Sequence, residues 1–343
     1  MSSYTVSSTE RLTAHASNAE TKALLYLMNF RSDSDEICFF IVDFFNDVTG
    51  MDRHSTKLWD VQSKSSNNVH PKQIGKNLVT LFKNFLSEFN FDSYILFMGK
   101  PVDSVRIDGT KTVFGVENIT ATALAKLTLG LKEEALRVTY IDNEKISEKK
   151  LEEFLKRIYF VVDNKEPCDY IKPMIKVKPE LIPSNEILTG IFNEIRDLQS
   201  SQKNGPSIEG ITINIPEEAL NYSRHLEAES IKLLVLSRVI NRNPMEQNPI
   251  SFGPILNSVP QQKKKDCLEN CRIDFCRALF DKNNINSFWS IFEEIILLIK
   301  KNPSDDVNQI YSKMSKRILA QDTAFDAISL KFFIANIKDG IEL

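Results

Sequence analysis

The segment Leu58-Trp-Asp-Val-Gln-Ser-Lys64, running on into Ser65-Ser66, decides how the first half of this chain is read. It is short and alternates at its centre, as a strand does, and successive strand residues face opposite ways. Asp60, Gln62 and Lys64 therefore share one face, with Trp59 and Val61 on the other. An acid, an amide and an ammonium in consecutive register make a poor core, because burying them unpaired is costly. Upstream, Ile37 to Phe45 is short and rich in β-branched and aromatic residues, so it also predicts a strand. It leads into Asn46-Asp47-Val48, and residues 45–57 read as a turn with Gly50 and Asp52 as turn residues. If the two strands pair as a hairpin, Asp47 comes close to Gln62 and Lys64.

That set has a chemistry. Carboxylate and amide oxygens are hard ligands for Mg²⁺ or Mn²⁺. A divalent ion there would polarise a phosphate and activate water, and a neighbouring lysine would orient that water and hold the developing charge.

Further elements follow from periodicity. Ser17 and Glu20 have capping-box spacing and open a helix. Residues 71–89 form the clearest helix, with Ile74, Leu78, Leu81, Phe82, Phe85 and Phe89 on one face and Pro71 in its first turn. Lys72, Lys76 and Lys83 lie opposite, and no acid occurs from Val61 to Ser87. Such a stripe suits a nucleic-acid backbone, although a lysine face is more often only solvated. Strands are predicted at 93–99, 136–142 and 158–163, and helices at 121–131 and 147–157. Beyond a Pro-punctuated stretch come helices at 184–200, 216–240, 260–281, 285–301, 303–319 and 323–338, with a short strand at 211–215. The expectation is an α+β fold: a loosely ordered 1–16, a mixed domain over 17–165 and a mainly helical domain over 166–343.

Composition narrows the function classes. The chain has 343 residues with 43 Lys and Arg against 46 Asp and Glu, a formal charge of −3. That excludes a polybasic nucleic-acid wrapper. With 42% apolar residues it is not a disordered acidic tail. Five scattered cysteines argue against a secreted disulfide framework. Cys267 and Cys271 share a helix face without nearby histidines, which suits packing better than metal binding. No signal-peptide pattern and no apolar run near the ~18 residues of a membrane span is present, so a soluble cytoplasmic protein is expected.

Asn46-Asp47-Val48 followed by Trp59-Asp-Val-Gln-Ser-Lys64 resembles the PD-(D/E)xK nuclease superfamily, in the variant where Gln replaces the second acid. More narrowly, it is similar to the double-stranded DNA endonuclease domain of bacterial antiphage effectors, in cyclic-nucleotide defence and Lamassu systems. The likeness covers residues 17 to 165. It implies a restriction-endonuclease-like core, a mixed sheet flanked by helices. Asp47 would be a metal ligand, Gln62 would take the second ligand position through its side-chain oxygen, and Lys64 would be the catalytic lysine. Glu20 would be a further metal-binding acid, against the plainer reading that it only completes a cap with Ser17. Asp43 reads as a solvated strand residue, and Asp60 as either that or a supporting group. The resemblance further implies a Mg²⁺- or Mn²⁺-dependent DNA endonuclease in antiphage defence, restrained by an SMC-like ATPase partner and oligomeric when active. The alternatives are cyclic-nucleotide activation, an RNA target, or a non-catalytic adaptor on a degenerate nuclease fold.

Overall fold

Strand β4 lies at the middle of the molecule's large sheet, and all but its last residue are buried. The computed structural model describes residues 3–6, 14–283, 285–321 and 324–341. They form two units. One comprises residues up to Tyr170 together with Phe192–Ala228, and the other comprises Ile171–Ile191 with Glu229 onward. The single boundary expected near residue 165 is thus replaced by a discontinuous arrangement, because a later segment returns to the sheet.

In chain order the sheet unit holds β1 (Tyr4–Thr5), α1 (Ala14–Asn29), β2 (Ile37–Val42), β3 (Val48–Asp52), β4 (Leu58–Lys64), α2 (Pro71–Asn77), α3 (Val79–Leu86), β5 (Ser93–Met98), β6 (Val113–Phe114), α4 (Ala121–Arg137), α5 (Glu148–Leu155) and β7 (Ile158–Val162). Helix α6 (Pro167–Ile171) ends this run, and α7 (Asn185–Lys203) begins in the other unit and ends in this one. Strands β8 (Thr212–Ile213) and β9 (His225–Glu227) complete it. The sheet order is β6-β7-β5-β4-β3-β2-β9. Strands β4, β5 and β7 are parallel, whereas β2, β3 and β4 form an antiparallel meander. Parallel neighbours need a crossover. Helices α2 and α3 supply it between β4 and β5, and α4 and α5 lie between β5 and β7.

Several expectations change. The stretch read as one long turn contains β3, because Val48, Thr49 and Met51 pack into the sheet, and the chain turns on either side of it, before Val48 and over residues 53–57. No strand forms over 136–142: α4 runs through Arg137 and the following residues stay outside the sheet. The helix expected over 71–89 breaks at Leu78 into α2 and α3. The helix expected over 216–240 is interrupted by β9, which adds to the edge of β2. The N-terminal stretch is not simply loose: Tyr4 and Val6 are each 2% exposed, and β1 pairs with β8. Residues 1, 2 and 7–13 lie outside the described residues.

Helices α2 and α4 meet backbone to backbone. A Cβ on Gly75 would lie 1.9 Å from the Leu127 carbonyl oxygen, and one on Gly130 would lie 2.1 Å from the Lys72 carbonyl oxygen. The two glycines are reciprocal, each giving way to the other helix's backbone. Below them, Leu81, Phe82, Leu127, Leu131, Phe154 and Phe160 fill one face of the sheet, each fully buried.

The other unit is helical: α8 (Ala228–Val239, entering from the sheet unit), α9 (Gly253–Asn257), α10 (Lys264–Phe280), α11 (Ile285–Lys301), α12 (Val307–Lys313), α13 (Lys316–Gln321) and α14 (Ala327–Gly340). The helix expected over 303–319 is two, parted near Met314. Its core is aromatic, with Phe288 and Phe333 stacked 4.9 Å apart and Phe275 edge-on to both. Cys271 is buried in that packing, and burial raises its thiol pKa to about 12. No helix among the described residues is long and apolar enough to cross a membrane.

Candidate functional site

The ladder between β3 and β4 ends with Val48 opposite Val61. Beyond it the loop 43–47 folds back, closed by Asp43 N–H donating to the Asp47 carbonyl at 3.2 Å. Asp43 sits in the left-handed region at φ 53°, which a non-glycine residue adopts at some cost. This turn brings the Asp47 carboxylate alongside β4, where it replaces a strand partner. Its Oδ2 accepts from Ser63 N at 2.7 Å, Ser63 Oγ at 2.9 Å and Gln62 Nε2 at 2.6 Å. Lys64 lines the same cleft and pulls electrostatically on Asp47. The three residues expected to act together are thus gathered at one place, with Asp47 opening β3 rather than closing β2.

The polar face of β4 is matched by α3. Strand residues two apart and helix residues four apart are both spaced roughly 6–7 Å. Thr80 accordingly donates to Gln62 Oε1, and Asn84 Nδ2 donates to Asp60 Oδ2 at 2.6 Å. Thr49, opposite Asp60 on β3, donates to its other oxygen at 3.1 Å. Asp60 is fully buried and does not line the cleft, so it supports rather than reacts. Burial raises its pKa to about 7, against the hydrogen bonds from Asn84 and Thr49.

Behind Asp47 lies a second layer that the sequence reading missed. Helices α1 and α7 pack through polar pairs: Ser17 with Ser200, Thr21 with Gln199 and Glu20 with Lys203. Helix α1 begins at Ala14, so Ser17 is inside it and the expected capping box does not exist. Lys203 Nζ lies 3.0 Å from Glu20 Oε1 and 3.8 Å from Asp43 Oδ1, and the Lys203 and Glu20 side chains are each 4% exposed. Asp43, expected to be solvated, is instead held by Arg224 at 3.0 Å, while Arg224 also donates to the Pro206 carbonyl. Three carboxylates (Glu20, Asp43 and Asp47) therefore share one another's field with Lys203, Arg224 and Lys64. Burial, and then the charge of Asp47, raises Glu20 to about 7 against Lys203. Burial raises Asp43 to about 6 against Lys203 and Arg224. Burial also raises Asp47, against Lys64 and the Ser63 N–H. Lys203 and Arg224 sit 139 and 160 residues beyond Lys64, and no local pattern marked them.

The cleft over this floor has a volume of about 600 Å³. Its walls carry Lys76 and Lys83 from α2 and α3, and Arg137 and Tyr140 from the end of α4 and beyond. Arg137 and Tyr140 were hidden by the mistaken strand over 136–142. Lys83 donates to Tyr4 Oη at 3.0 Å, and burial lowers its pKa to about 8 despite Asp60. Lys72, expected on the same stripe, is outside the cleft and pairs with Glu133 at 2.8 Å. It stands one turn before Lys76, at the start of α2, where α4 offers it the Glu133 carboxylate.

A hard divalent cation fits this floor in part. Mg²⁺ uses one or two carboxylates and leaves its other positions to water and phosphate. Asp47 meets that need, and the described hydrogen bonds to its carboxylate all end on one oxygen, Oδ2. Gln62 presents nitrogen to Asp47 and oxygen to Thr80. Turning the amide over would present its oxygen instead, and the Thr80 hydroxyl can accept as well as donate. Glu20 is taken up by Lys203. Among the described residues no group of three or more His, Cys, Asp or Glu is arranged to hold a metal. No protein-family model, curated protein or solved structure matches this chain, so the site stands on its own geometry.

Proposed function

We propose that this chain is a metal-dependent endonuclease acting on the phosphodiester backbone of DNA. One observation supports it above the others: Asp47, Gln62 and Lys64 converge on the floor of a cleft whose walls carry Lys76, Lys83 and Arg137. Asp47 and Gln62 would hold a Mg²⁺ or Mn²⁺ ion, which supplies Lewis acidity at the scissile phosphate. The Lys64 ammonium would donate to a non-bridging phosphate oxygen and steady the charge that builds there. Lys76, Lys83 and Arg137 would bind flanking phosphates and set the strand across the floor. A role in antiphage defence, and restraint by an SMC-like ATPase, follow from the sequence resemblance.

Plasmid DNA incubated with the full chain and Mg²⁺, alone and with the products of neighbouring genes, tests this reading. The parent is expected to nick or linearise the plasmid, while Lys64→Ala leaves it intact and keeps the parent's melting temperature. Equal cutting by Lys64→Ala would remove Lys64 from the chemistry. The same assay on RNA of matching sequence separates the two polymers.

A second reading is favoured by a specific observation. The acid cluster is already neutralised by side chains, and Gln62 turns its nitrogen toward Asp47. Both suit a non-catalytic adaptor that keeps the nuclease fold as a scaffold. Failure to cut under every combination of partners would favour it.

A further inference from the structure

We propose that Lys203 is a tethered cation that competes with the divalent metal for Glu20, so that Glu20 joins the metal site only when Lys203 withdraws. This rests on the endonuclease reading above and concerns how that site is held in check.

The ammonium sits where a second cation would have to go. It makes a charge-assisted bond to Glu20 Oε1 at 3.0 Å and lies 3.8 Å from Asp43 Oδ1, at the closed back of the floor. Asp43, which Lys203 also reaches, closes its turn on the Asp47 carbonyl at 3.2 Å, so Lys203 links Glu20 to the turn that carries Asp47, and the Asp47 charge adds to the field that raises Glu20. A divalent ion reaching Glu20 would meet the Lys203 ammonium at the same oxygens, and like charges in a dry site repel strongly. Arg224 can keep Asp43 balanced when Lys203 leaves, because it holds the other Asp43 oxygen and is itself anchored on the Pro206 carbonyl. The cluster is thus built to lose one cation and keep the other.

Withdrawal has a local route. Lys203 is the last residue of α7 and is followed by Asn204, Gly205 and Pro206 outside the helix. Helix ends open more readily than helix middles, so opening the last turn frees the ammonium without moving the sheet. The same helix begins in the helical unit, which gives that unit a covalent hold on the residue.

The test is Mn²⁺ binding to the full chain, read by the loss of the free-ion electron paramagnetic resonance signal at fixed pH and ionic strength. The parent is expected to bind Mn²⁺ through Asp47, with binding lost in Asp47→Asn. Lys203→Met is expected to bind at least tenfold more tightly. Glu20→Gln/Lys203→Met is expected to return to the parent's affinity, because the ligand that Lys203 releases is gone. If Lys203→Met binds like the parent while Asp47→Asn abolishes binding, the competition is refuted and the metal site stands. If Asp47→Asn changes nothing, the metal reading fails and takes this proposal with it. Lys203→Met leaves Glu20 without its buried partner and can misfold. Lys203→Gln, which keeps a donor for Glu20 without the charge, decides the matter then: it should bind Mn²⁺ at least tenfold more tightly than the parent, and the parent's affinity would refute the competition.

Discussion

Gln62 Nε2 donates to Asp47 Oδ2 at 2.6 Å, so the amide standing where a second acid is expected holds the first acid in place rather than repelling it. The sharp turn at Asp43 delivers Asp47, and Ser63 and Gln62 then fix it from β4. The floor is therefore organised by the protein's own groups.

Replacing Gln62 with Glu should make that organisation depend on metal. The donor to Asp47 disappears and a carboxylate faces a buried carboxylate. Losing a hydrogen bond to a charged group costs about 1.5–3 kcal/mol, and like-charge repulsion adds to it. Chemical denaturation without divalent ions should show a loss of about 2–3 kcal/mol for Gln62→Glu, with most of it recovered in excess Mg²⁺. A variant as stable as the parent without metal would mean that the hydrogen bond contributes little.

The crossing of α2 and α4 offers a test away from the chemistry. Gly75→Ala would place Cβ 1.9 Å from a carbonyl oxygen that belongs to rigid backbone, and Gly130→Ala would place it at 2.1 Å. The helices must then separate. Overpacking of this kind costs about 1–3 kcal/mol or more. Because α2 and the end of α4 both line the cleft, either variant should also weaken DNA binding in a fluorescence anisotropy titration. A loss of stability with unchanged DNA affinity would separate this packing from the proposed groove.

Part of the floor was legible in the sequence, because alternation along β4 put Asp60, Gln62 and Lys64 on one face. Asp47 was expected beside them through direct pairing of the two strands, whereas β3 stands between β2 and β4 and the turn before Val48 delivers it. The partners of that face were less visible. Thr80 and Asn84 lie four apart on a helix whose apolar residues dominated the pattern, and they declare themselves only against a strand of matching spacing. Lys203 and Arg224 were not legible at all. Each is a single basic residue far along the chain, and it reaches the site only because α7 and β9 return to the sheet unit. Strand β3 was missed for a different reason: its Gly50 and Asp52 carry turn signals, yet Gly50 packs against Ile37 and Leu27 inside the sheet.

Asp60 should give the sheet unit a stability that depends on pH. Its pKa is about 7 in the folded chain, above the 3.8 of an ordinary aspartate, chiefly through burial. The folded state then binds more protons than the unfolded state between about pH 4 and 7, so this contribution is fully present below pH 4 and is lost as pH rises through 7. Every tenfold gain in proton affinity on folding corresponds to about 1.4 kcal/mol. Glu20 and Asp43, raised to about 7 and about 6, act in the same direction. Urea denaturation from pH 5 to pH 8 should show falling stability in the parent and a flatter profile in Asp60→Asn. A parent profile that rises across this window would contradict the assignment.

The cleft also makes a claim about salt. A protein that neutralises phosphates releases counterions, and the logarithm of affinity falls with the logarithm of salt by about 0.9 per phosphate contact on duplex DNA. Lys76 lines the cleft, whereas Lys72, four residues earlier, lies outside it and pairs with Glu133. The two were indistinguishable on a helical wheel. Lys76→Ala should therefore lower the slope by about 1 and weaken binding to every sequence alike. Lys72→Ala should leave the slope unchanged. Lys83 adds a pH signature, because burial lowers its pKa to about 8. Its charge is present below that pH and lost above it, so the parent's slope should shrink between pH 7 and pH 9 while that of Lys83→Arg should not. Equal slopes for Lys72→Ala and Lys76→Ala would mean that DNA tracks the exposed helix face and not the cleft.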